Sequence, residues 1–155
     1  MKLDQLDRRI VELIQSEFPL EPRPFKALAE RVGSNEDETL ERVRRLQAQG
    51  VIREISPVFD LHRLGYTSTL CAAKAAPASI ERAASLISKF PEVTHNYLRD
   101  HEFNLWFTLI APSKEQIDAI VSQIRDDPAV ATVVPLPATK TFKINVHFAT
   151  VGDEP

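Results

Sequence analysis

A single stretch, residues 93–107, holds most of the side chains in this chain that could bind a charged ligand or move a proton. It reads VTHNYLRDHEFNLWF and contains two of the four histidines, one of the two tyrosines and the only tryptophan. Imidazole can ligate a metal or carry a proton near neutral pH, and guanidinium can grip a carboxylate with two parallel hydrogen bonds. Because tyrosine and tryptophan add flat apolar surface, the set suits a flat anionic ligand.

The stretch is predicted to form a hairpin of two strands, residues 93–99 and 103–110, with a tight turn at residues 100–102. Side chains alternate between the faces of a strand. One predicted face is apolar core and consists of Phe103, Leu105, Phe107 and Leu109. The other is predicted to carry His95, Tyr97, Arg99, Asn104 and Trp106, with Val93 on the same side as His95. The alternative is a half-buried interface hairpin whose polar groups satisfy one another.

Single reactive side chains elsewhere favour ordinary roles. His62, beside a linker turn, and His147, near the end of the last strand, are predicted to be structural or solvated. Lys140 and Lys143 are predicted to be solvated, although Lys143 could point toward the ligand surface. Cys71 lies in the apolar stretch TSTLCAAKAA and is predicted to be a small core residue.

The second half of the chain supplies the elements that must position the hairpin. Its pattern predicts strand, helix, strand, strand, helix and strand, over residues 66–76, 78–90, 93–99, 103–110, 113–127 and 130–148. This is the order of a ferredoxin-like sheet with both helices on one face. The prolines of the last strand, Pro135 and Pro137, are expected at an edge or a bulge.

The first half predicts a winged helix-turn-helix. Three helices are expected, with Asp4 capping the first, Gly33 ending the second, and Ser34 or Asn35 capping the third. Three prolines in FPLEPRP place a loop between the first two helices. The β-rich stretch VIREISPVFD, residues 51–60, predicts a two-stranded wing.

DNA binding by this unit is disfavoured by its own third helix. The residues that would enter the major groove read Asn35-Glu36-Asp37-Glu38, so three carboxylates would face the phosphates. Acidic residues in a first turn also complement the helix dipole, which explains why the helix tolerates them. Arg42, Arg44 and Arg45 follow on the same helix and could face another partner.

Composition narrows the class of protein. A net charge of −3 excludes a strongly basic module, and a single cysteine excludes an internal disulfide and fits a cytoplasmic protein. The sequence carries no apolar run of about 20 residues, phosphate-binding glycine loop, paired-cysteine metal site or serine-hydrolase motif. We predict a domain over residues 1–62, a second over 63–150 and a disordered tail over 151–155.

The predicted order of domains resembles the Lrp/AsnC family of transcription regulators over nearly the whole chain. Two stretches, FPLEPRPFKALAERVG and VTHNYLRDHEFNLWFTL, resemble a specialised branch, the siroheme decarboxylases. The pattern HNYxRxHxxNxWF is the more specific match. The resemblance implies removal of CO2 from two acetate side chains of siroheme, giving 12,18-didecarboxysiroheme in heme or heme d1 biosynthesis.

The resemblance also implies a carboxy-lyase that needs no organic cofactor, since the siroheme iron enters with the substrate. Such proteins work as pairs of homologous subunits, so the partner is a sister subunit or a second copy. His95 is assigned axial iron contact or proton donation, and His101 the other of these two roles. Arg99 would bind a substrate carboxylate. The remaining expected substrate-binding residues are Tyr97, Asn96, Asn104, Trp106, Arg53, Arg44, Arg45 and Lys143.

Two other functions remain open from the sequence. The chain could be a DNA-binding regulator whose second domain senses a small molecule or tetrapyrrole. It could also be a catalytically silent subunit that binds the macrocycle and completes a sister subunit's site.

Overall fold

The computed structural model describes residues 2–144, 147, 148 and 150 and divides the chain into two compact units. The first unit comprises Met1–Pro57 and Lys143–Pro155, and the second comprises Val58–Phe142. The predicted tail, residues 151–155, lies outside the described residues. Within the described ranges, none of the helices has the length and apolar character needed to cross a bilayer.

Three helices build the first unit: α1 (Gln5–Ser16), α2 (Pro24–Val32) and α3 (Glu36–Ala48). The predicted caps are confirmed. Asp4 accepts a hydrogen bond from the Asp7 N–H at 2.7 Å, and Asn35 accepts one from the Glu38 N–H at 2.9 Å. Gly33 ends α2 at φ 76°, a left-handed conformation that glycine adopts without strain. The buried side chains of this unit's core are Ile10, Leu28, Val32, Val43, Leu46 and Ile52.

The prediction of a two-stranded wing is wrong, because residues 51–60 contain no strand. Pro57 removes one backbone donor from this extended segment. The last predicted strand is also shorter than expected, since pairing stops at Leu136 and the described residues from 137 onward form no strand. A β-rich composition was therefore not sufficient to predict the pairing that makes a sheet.

The described residues near the C-terminus bind to α1 within the first unit. The Gln15 side chain donates to the Phe148 carbonyl at 3.0 Å and accepts from the Phe148 N–H at 2.9 Å. Glu12 accepts from the Thr150 N–H at 3.0 Å and from the Thr150 hydroxyl at 2.8 Å, and it contacts His147 Nε2 at 2.9 Å. These Thr150 hydrogen bonds are the main reason that the pKa of Glu12 is lowered. His147 thus has a structural contact, as predicted.

The second unit has the predicted ferredoxin-like order. Its elements are β1 (Thr67–Lys74), a 3₁₀ turn (Pro77–Ser79), α4 (Ile80–Ile87), β2 (Val93–Leu98), β3 (Leu105–Ala111), α5 (Lys114–Asp126) and β4 (Thr132–Leu136). All pairings are antiparallel, in the order β2-β3-β1-β4. Strand β4, which contains Pro135, is an edge strand, as expected for a proline.

Both helices cover one face of this sheet. The buried core joins Cys71, Ala73, Leu105, Phe107 and Leu109 of the strands to side chains of α4 and α5. Cys71 is fully buried, and this burial raises the pKa of its thiol to about 12, so it is the core residue that the sequence predicted. The opposite face, which we call the open face, carries the alternate residues of every strand.

A bulge between Val93 and His95 sets the faces of β2. Val93 pairs with Leu109 and packs against the core, whereas His95 pairs with Thr108 and Tyr97 with Trp106 on the open face. The predicted placement of Val93 beside His95 is therefore wrong, because the bulge inserts one extra residue and shifts the alternation. The predicted shared face of His95 and Tyr97 is confirmed.

Candidate functional site

The open face of the second unit brings an aromatic and cationic row together on β2 and β3. Tyr97 lies directly opposite Trp106, and the His95 ring stacks on the Tyr97 ring with centroids 6.1 Å apart and planes 30° apart. Tyr97 is 54% exposed, which is high for a large aromatic residue in a strand. The row therefore offers flat apolar surface with an imidazole at one end.

The other end of the row is the turn between the two strands. The Arg99 guanidinium carbon lies 5.9 Å from the centre of the Trp106 ring, and the His101 ring meets the same indole edge-on at 6.5 Å. Arg99 and His101 are both exposed. The structure thus brings His95, Tyr97, Trp106, Arg99 and His101 into one continuous surface, which we call the hairpin site.

Backbone and side-chain hydrogen bonds shape this turn. The Arg99 N–H donates to the Asn104 carbonyl at 2.8 Å, and the Trp106 indole N–H donates to the Phe103 carbonyl at 2.7 Å. The Phe103 N–H donates to Nδ1 of His101 at 3.1 Å. These contacts fix the backbone of the turn and the Nδ1 side of the His101 ring.

The sequence predicted that Asn104 would line the ligand surface. In the structure its side chain binds the protein backbone instead. Its side-chain amide accepts from the Ala75 N–H at 3.0 Å and donates to the Ala75 carbonyl at 2.8 Å. The amide is therefore engaged with the backbone that follows β1. The ligand contact expected for Asn104 stays a prediction.

Asn96 lies on the helix-covered face, opposite to the hairpin site. Its partner across the strands is Phe107, and its amide donates to the Ala84 carbonyl and the Ser88 hydroxyl, each at 3.1 Å. The substrate contact expected for Asn96 has no support in this geometry. The two asparagines of the hairpin instead anchor it, Asn104 to β1 and Asn96 to α4.

Sequence reasoning missed Lys74 at the edge of the site. Lys74 ends β1 on the open face and forms an ion pair with Glu102 of the turn at 2.6 Å. This contact with Lys74 is the main reason that the pKa of Glu102 is lowered. Strand alternation could have found it, since Lys74 follows Leu70 and Ala72 on the same face.

The half of the open face formed by β1 and β4 is aliphatic. Leu70, Val134 and Leu136 are 42%, 38% and 42% exposed and lie side by side, because Leu70 pairs with Leu136 and the neighbouring Ala72 pairs with Val134. Contiguous exposed apolar side chains of this kind mark interaction surfaces. The open face thus combines a polar, aromatic half with an apolar half.

The cationic candidates outside the hairpin belong to the first unit. Arg45 forms an ion pair with the buried carboxylate of Asp7 at 2.5 Å, and Arg42 binds the same carboxylate at 2.9 Å. Arg44 and Lys143 are exposed. Arg53 is also exposed and borders a largely apolar cavity of about 820 Å³ between α1 and residues 51–57. Of these residues, Arg45 has an evident structural role within its own unit.

The chain has no protein-built metal centre among the residues that the structure describes, since no three His, Cys, Asp or Glu side chains converge. A metal carried by a bound ligand needs fewer protein ligands. His95 and His101 each present one imidazole at the hairpin site, which would suffice for an axial contact.

Family models match both units. One describes an AsnC-like ligand binding domain and covers residues 63–143, and the other describes a siroheme decarboxylase NirDL-like HTH domain and covers residues 7–53. A helix-turn-helix unit followed by this ligand binding domain defines a two-domain protein of the Lrp/AsnC type, which confirms the predicted fold class.

Curated relatives narrow that class. The siroheme decarboxylase alpha subunit of Desulfovibrio desulfuricans is 44% identical over 97% of this chain and 87% of its own length. The siroheme decarboxylase NirD subunit of Stutzerimonas stutzeri is 40% identical over 99% of both chains. The crystal structure of the siroheme decarboxylase NirDL with an iron-uroporphyrin III analogue superposes with a TM-score of 0.66 at 31% identity, covering 92% of this chain and 48% of that chain. The chain belongs to the siroheme decarboxylase family.

Proposed function

We propose that this chain is a subunit of siroheme decarboxylase that removes CO2 from two acetate side chains of siroheme, giving 12,18-didecarboxysiroheme for heme or heme d1 biosynthesis. The observation that carries the proposal is the continuous row of His95, Tyr97, Trp106, Arg99 and His101 on an exposed sheet face. The names of the relatives, and the iron-uroporphyrin analogue bound by NirDL, support the same ligand class.

The hairpin site matches the chemistry of a flat macrocycle that carries carboxylates around its rim. The paired rings of Tyr97 and Trp106 provide planar apolar contact, and Arg99 beside the indole can hold a rim carboxylate with two parallel hydrogen bonds. Exposed imidazoles at both ends can reach groups at the centre or at the edge of the ring. Arg44, Arg45, Arg53 and Lys143 remain expected carboxylate contacts.

Decarboxylation of an acetate side chain requires a proton but no oxidant. When the bond between the methylene carbon and the carboxylate breaks, CO2 leaves and the electron pair stays on the methylene carbon. A proton then converts this carbon to a methyl group, and the iron macrocycle can accept electron density in between. His95 and His101 would supply the contact to the substrate iron and the proton between them, and we expect no organic cofactor. This makes the chain a carboxy-lyase.

A homologous subunit is the proposed partner of this chain. Relatives are named as alpha, NirD and NirG subunits, which implies assemblies of related chains. The aliphatic half of the open face, with Leu70, Val134 and Leu136, offers the apolar surface that such a partner would cover. The partner is either a sister subunit or a second copy of this chain.

The direct test is to incubate the purified chain, with any homologous subunit that it requires, with siroheme without oxygen and to follow product masses. The expected result is the successive loss of two CO2, which His95→Ala abolishes. His62→Ala is the control and should retain the reaction, because it removes an exposed imidazole in a turn that is distant in sequence from the hairpin. Unchanged siroheme under these conditions, together with intact siroheme binding by His95→Ala, would refute both the reaction and the site.

A DNA-binding regulator is the second candidate, because the first unit is a helix-turn-helix. Helix α3 argues against DNA binding. Two of its arginines, Arg42 and Arg45, form ion pairs with Asp7. The first turn of α3 contains three carboxylates, from Glu36, Asp37 and Glu38, which DNA phosphates would repel. A regulator would bind its own promoter far more tightly than random duplex, with affinity falling steeply as salt rises. A gel-shift titration with both duplexes separates the two functions.

A further inference from the structure

The turn of the hairpin site is tied to β1 by a side chain that imitates a peptide group. Asn104 both accepts from and donates to the backbone of one residue, Ala75, with contacts of 3.0 and 2.8 Å. Ala75 follows the last residue of β1, so the amide continues the β1–β3 pairing one step past the strand end. The neighbouring carbonyl of Asn104 accepts from the Arg99 N–H at 2.8 Å and closes the turn.

This closed turn fixes the hydrogen-bonding state of His101. The Phe103 N–H donates to His101 Nδ1 at 3.1 Å, so Nδ1 carries no proton and the neutral ring carries its proton on Nε2. The His101 and Phe103 rings also stack at 6.3 Å with planes 22° apart. Nε2 makes no hydrogen bond with any described residue, and its N–H is therefore left for a ligand.

His95 has no such constraint. Its Nδ1 lies 3.0 Å from the Thr94 hydroxyl, which can either donate or accept. Both neutral forms of His95 are compatible with this contact, including the one that leaves a lone pair on Nε2. The two imidazoles of the hairpin site therefore differ in what they can offer.

We propose that Asn104 is a positioning residue that holds the turn so that His101 presents Nε2–H as a fixed hydrogen-bond donor to a substrate carboxylate, rather than as a metal ligand. The inference rests on the proposed function for the identity of the ligand, but the state of His101 does not. A donor fixed in advance loses less conformational freedom on binding, so its contribution to affinity is larger. Both hydrogen bonds of the Asn104 amide are with the backbone of Ala75.

The test begins with histidine-specific ¹⁵N labelling of the full chain, with its homologous subunit unlabelled if one is required. Two-bond proton–nitrogen correlation spectra at neutral pH distinguish the two neutral imidazole forms, and His101→Gln identifies the His101 signals. The expected wild-type pattern is a protonated Nε2 and a bare Nδ1. Asn104→Ala is expected to give averaged nitrogen shifts for His101 and siroheme binding weakened about tenfold in an absorption titration.

Ser113→Ala is the control, because it removes one side-chain bond to backbone in the same unit, to the Gln116 N–H at the start of α5, whereas Asn104→Ala removes two. It should lower the midpoint of thermal unfolding without altering the His101 spectrum or siroheme affinity. Asn104→Asp retains the acceptor for the Ala75 N–H, so an intermediate spectrum and affinity are expected. This variant keeps the test decisive if Asn104→Ala does not fold.

A wild-type spectrum with the proton on Nδ1 of His101 would overturn the proposal, whatever the chain catalyses. An unaltered His101 spectrum and affinity in both Asn104 variants would reduce Asn104 to a purely structural residue. If the spectrum behaves as expected but siroheme does not bind, the proposed function fails. The role of His101 as a hydrogen-bond donor to a substrate carboxylate then fails too, while its positioning by Asn104 stands.

Discussion

Tyr97 and Trp106 show how a sheet can supply a binding surface wider than either ring. Directly opposed residues on antiparallel strands have Cβ atoms about 5 Å apart, so Tyr97 and Trp106 lie side by side on the open face. Strand alternation predicted this pair from the sequence, since both residues fall on the face opposite to Phe107. Strand alternation could not predict the hydrogen bonds between Asn104 and Ala75. These residues are 29 positions apart, and no local sequence pattern indicates the contact.

Arg99 is expected to contribute through the geometry of its guanidinium group as well as its charge. Arg99→Ala should weaken siroheme binding by about 10- to 100-fold, the range for a hydrogen bond to a charged group. Arg99→Lys should recover only part of this loss, because ammonium cannot form two parallel bonds to one carboxylate. Absorption titration with siroheme measures both. Full recovery by lysine would contradict two-point binding, and Arg63→Ala, at an exposed turn arginine, serves as control.

Asp4 gives the first unit a predictable response to acid. Its hydrogen bond from Arg42 at 2.6 Å is the largest reason that its folded pKa lies below the ordinary value of 3.8. A lowered folded pKa means that the carboxylate stabilises the fold fully above that ordinary value, and that the stabilisation is lost as pH falls through the folded value. The difference in unfolding free energy between wild type and Asp4→Asn should therefore be constant from neutral pH to about pH 5 and shrink below pH 4.

Urea unfolding of both proteins at a series of pH values checks this expectation. Asp37→Asn, at an exposed position in the first turn of α3, controls for general effects of lost negative charge. A difference that persists undiminished to pH 3 would show that the Asp4 carboxylate does not stabilise the folded state.

At the scale of elements, periodicity predicted every helix and the four strands of the ferredoxin-like sheet. Three features escaped it: the end of the last strand at Leu136, the bulge in β2 and the absence of strands in residues 51–60. The bulge in β2 depends on how β2 aligns with β3, and a single extra residue leaves no mark in composition. The wing failed because residues 51–60 have strand-forming side chains but no neighbouring strand among the described residues to pair with.

The cap of α3 is an element whose contribution can be measured alone. Asn35→Ala removes the acceptor for the Glu38 N–H and should cost about 1 kcal/mol of unfolding free energy. Asn35→Ser should restore most of it, since serine is an equally good cap. Urea unfolding gives both values. Equal stability of the alanine and asparagine proteins would mean that the α3 start is held by other contacts, such as the Arg23–Glu36 ion pair.

At the scale of the whole molecule, the apolar half of the open face is the surface that we propose a homologous subunit covers. Leu136→Glu places a charge among Leu70, Val134 and the surface that a homologous subunit would cover, so the assembly should dissociate into single chains. Leu98→Glu is the matched control, because Leu98 is 63% exposed but belongs to the opposite face of the sheet. Light scattering during size-exclusion chromatography measures the masses. An assembly that survives Leu136→Glu would rule out this surface as the interface.

The bulge in β2 also has a genetic consequence. Its extra residue lies between Val93 and His95, and that residue, Thr94, is also the hydrogen-bond partner of the His95 ring. Loss of the single codon for Thr94 would restore plain alternation, keeping Val93 inward and His95 outward. Such a deletion is expected to keep the two faces of β2 while removing the hydroxyl that contacts the His95 ring. A single in-frame codon would therefore change the surroundings of His95 without moving it to the other face, a short mutational path by which duplicated genes could diverge at this site.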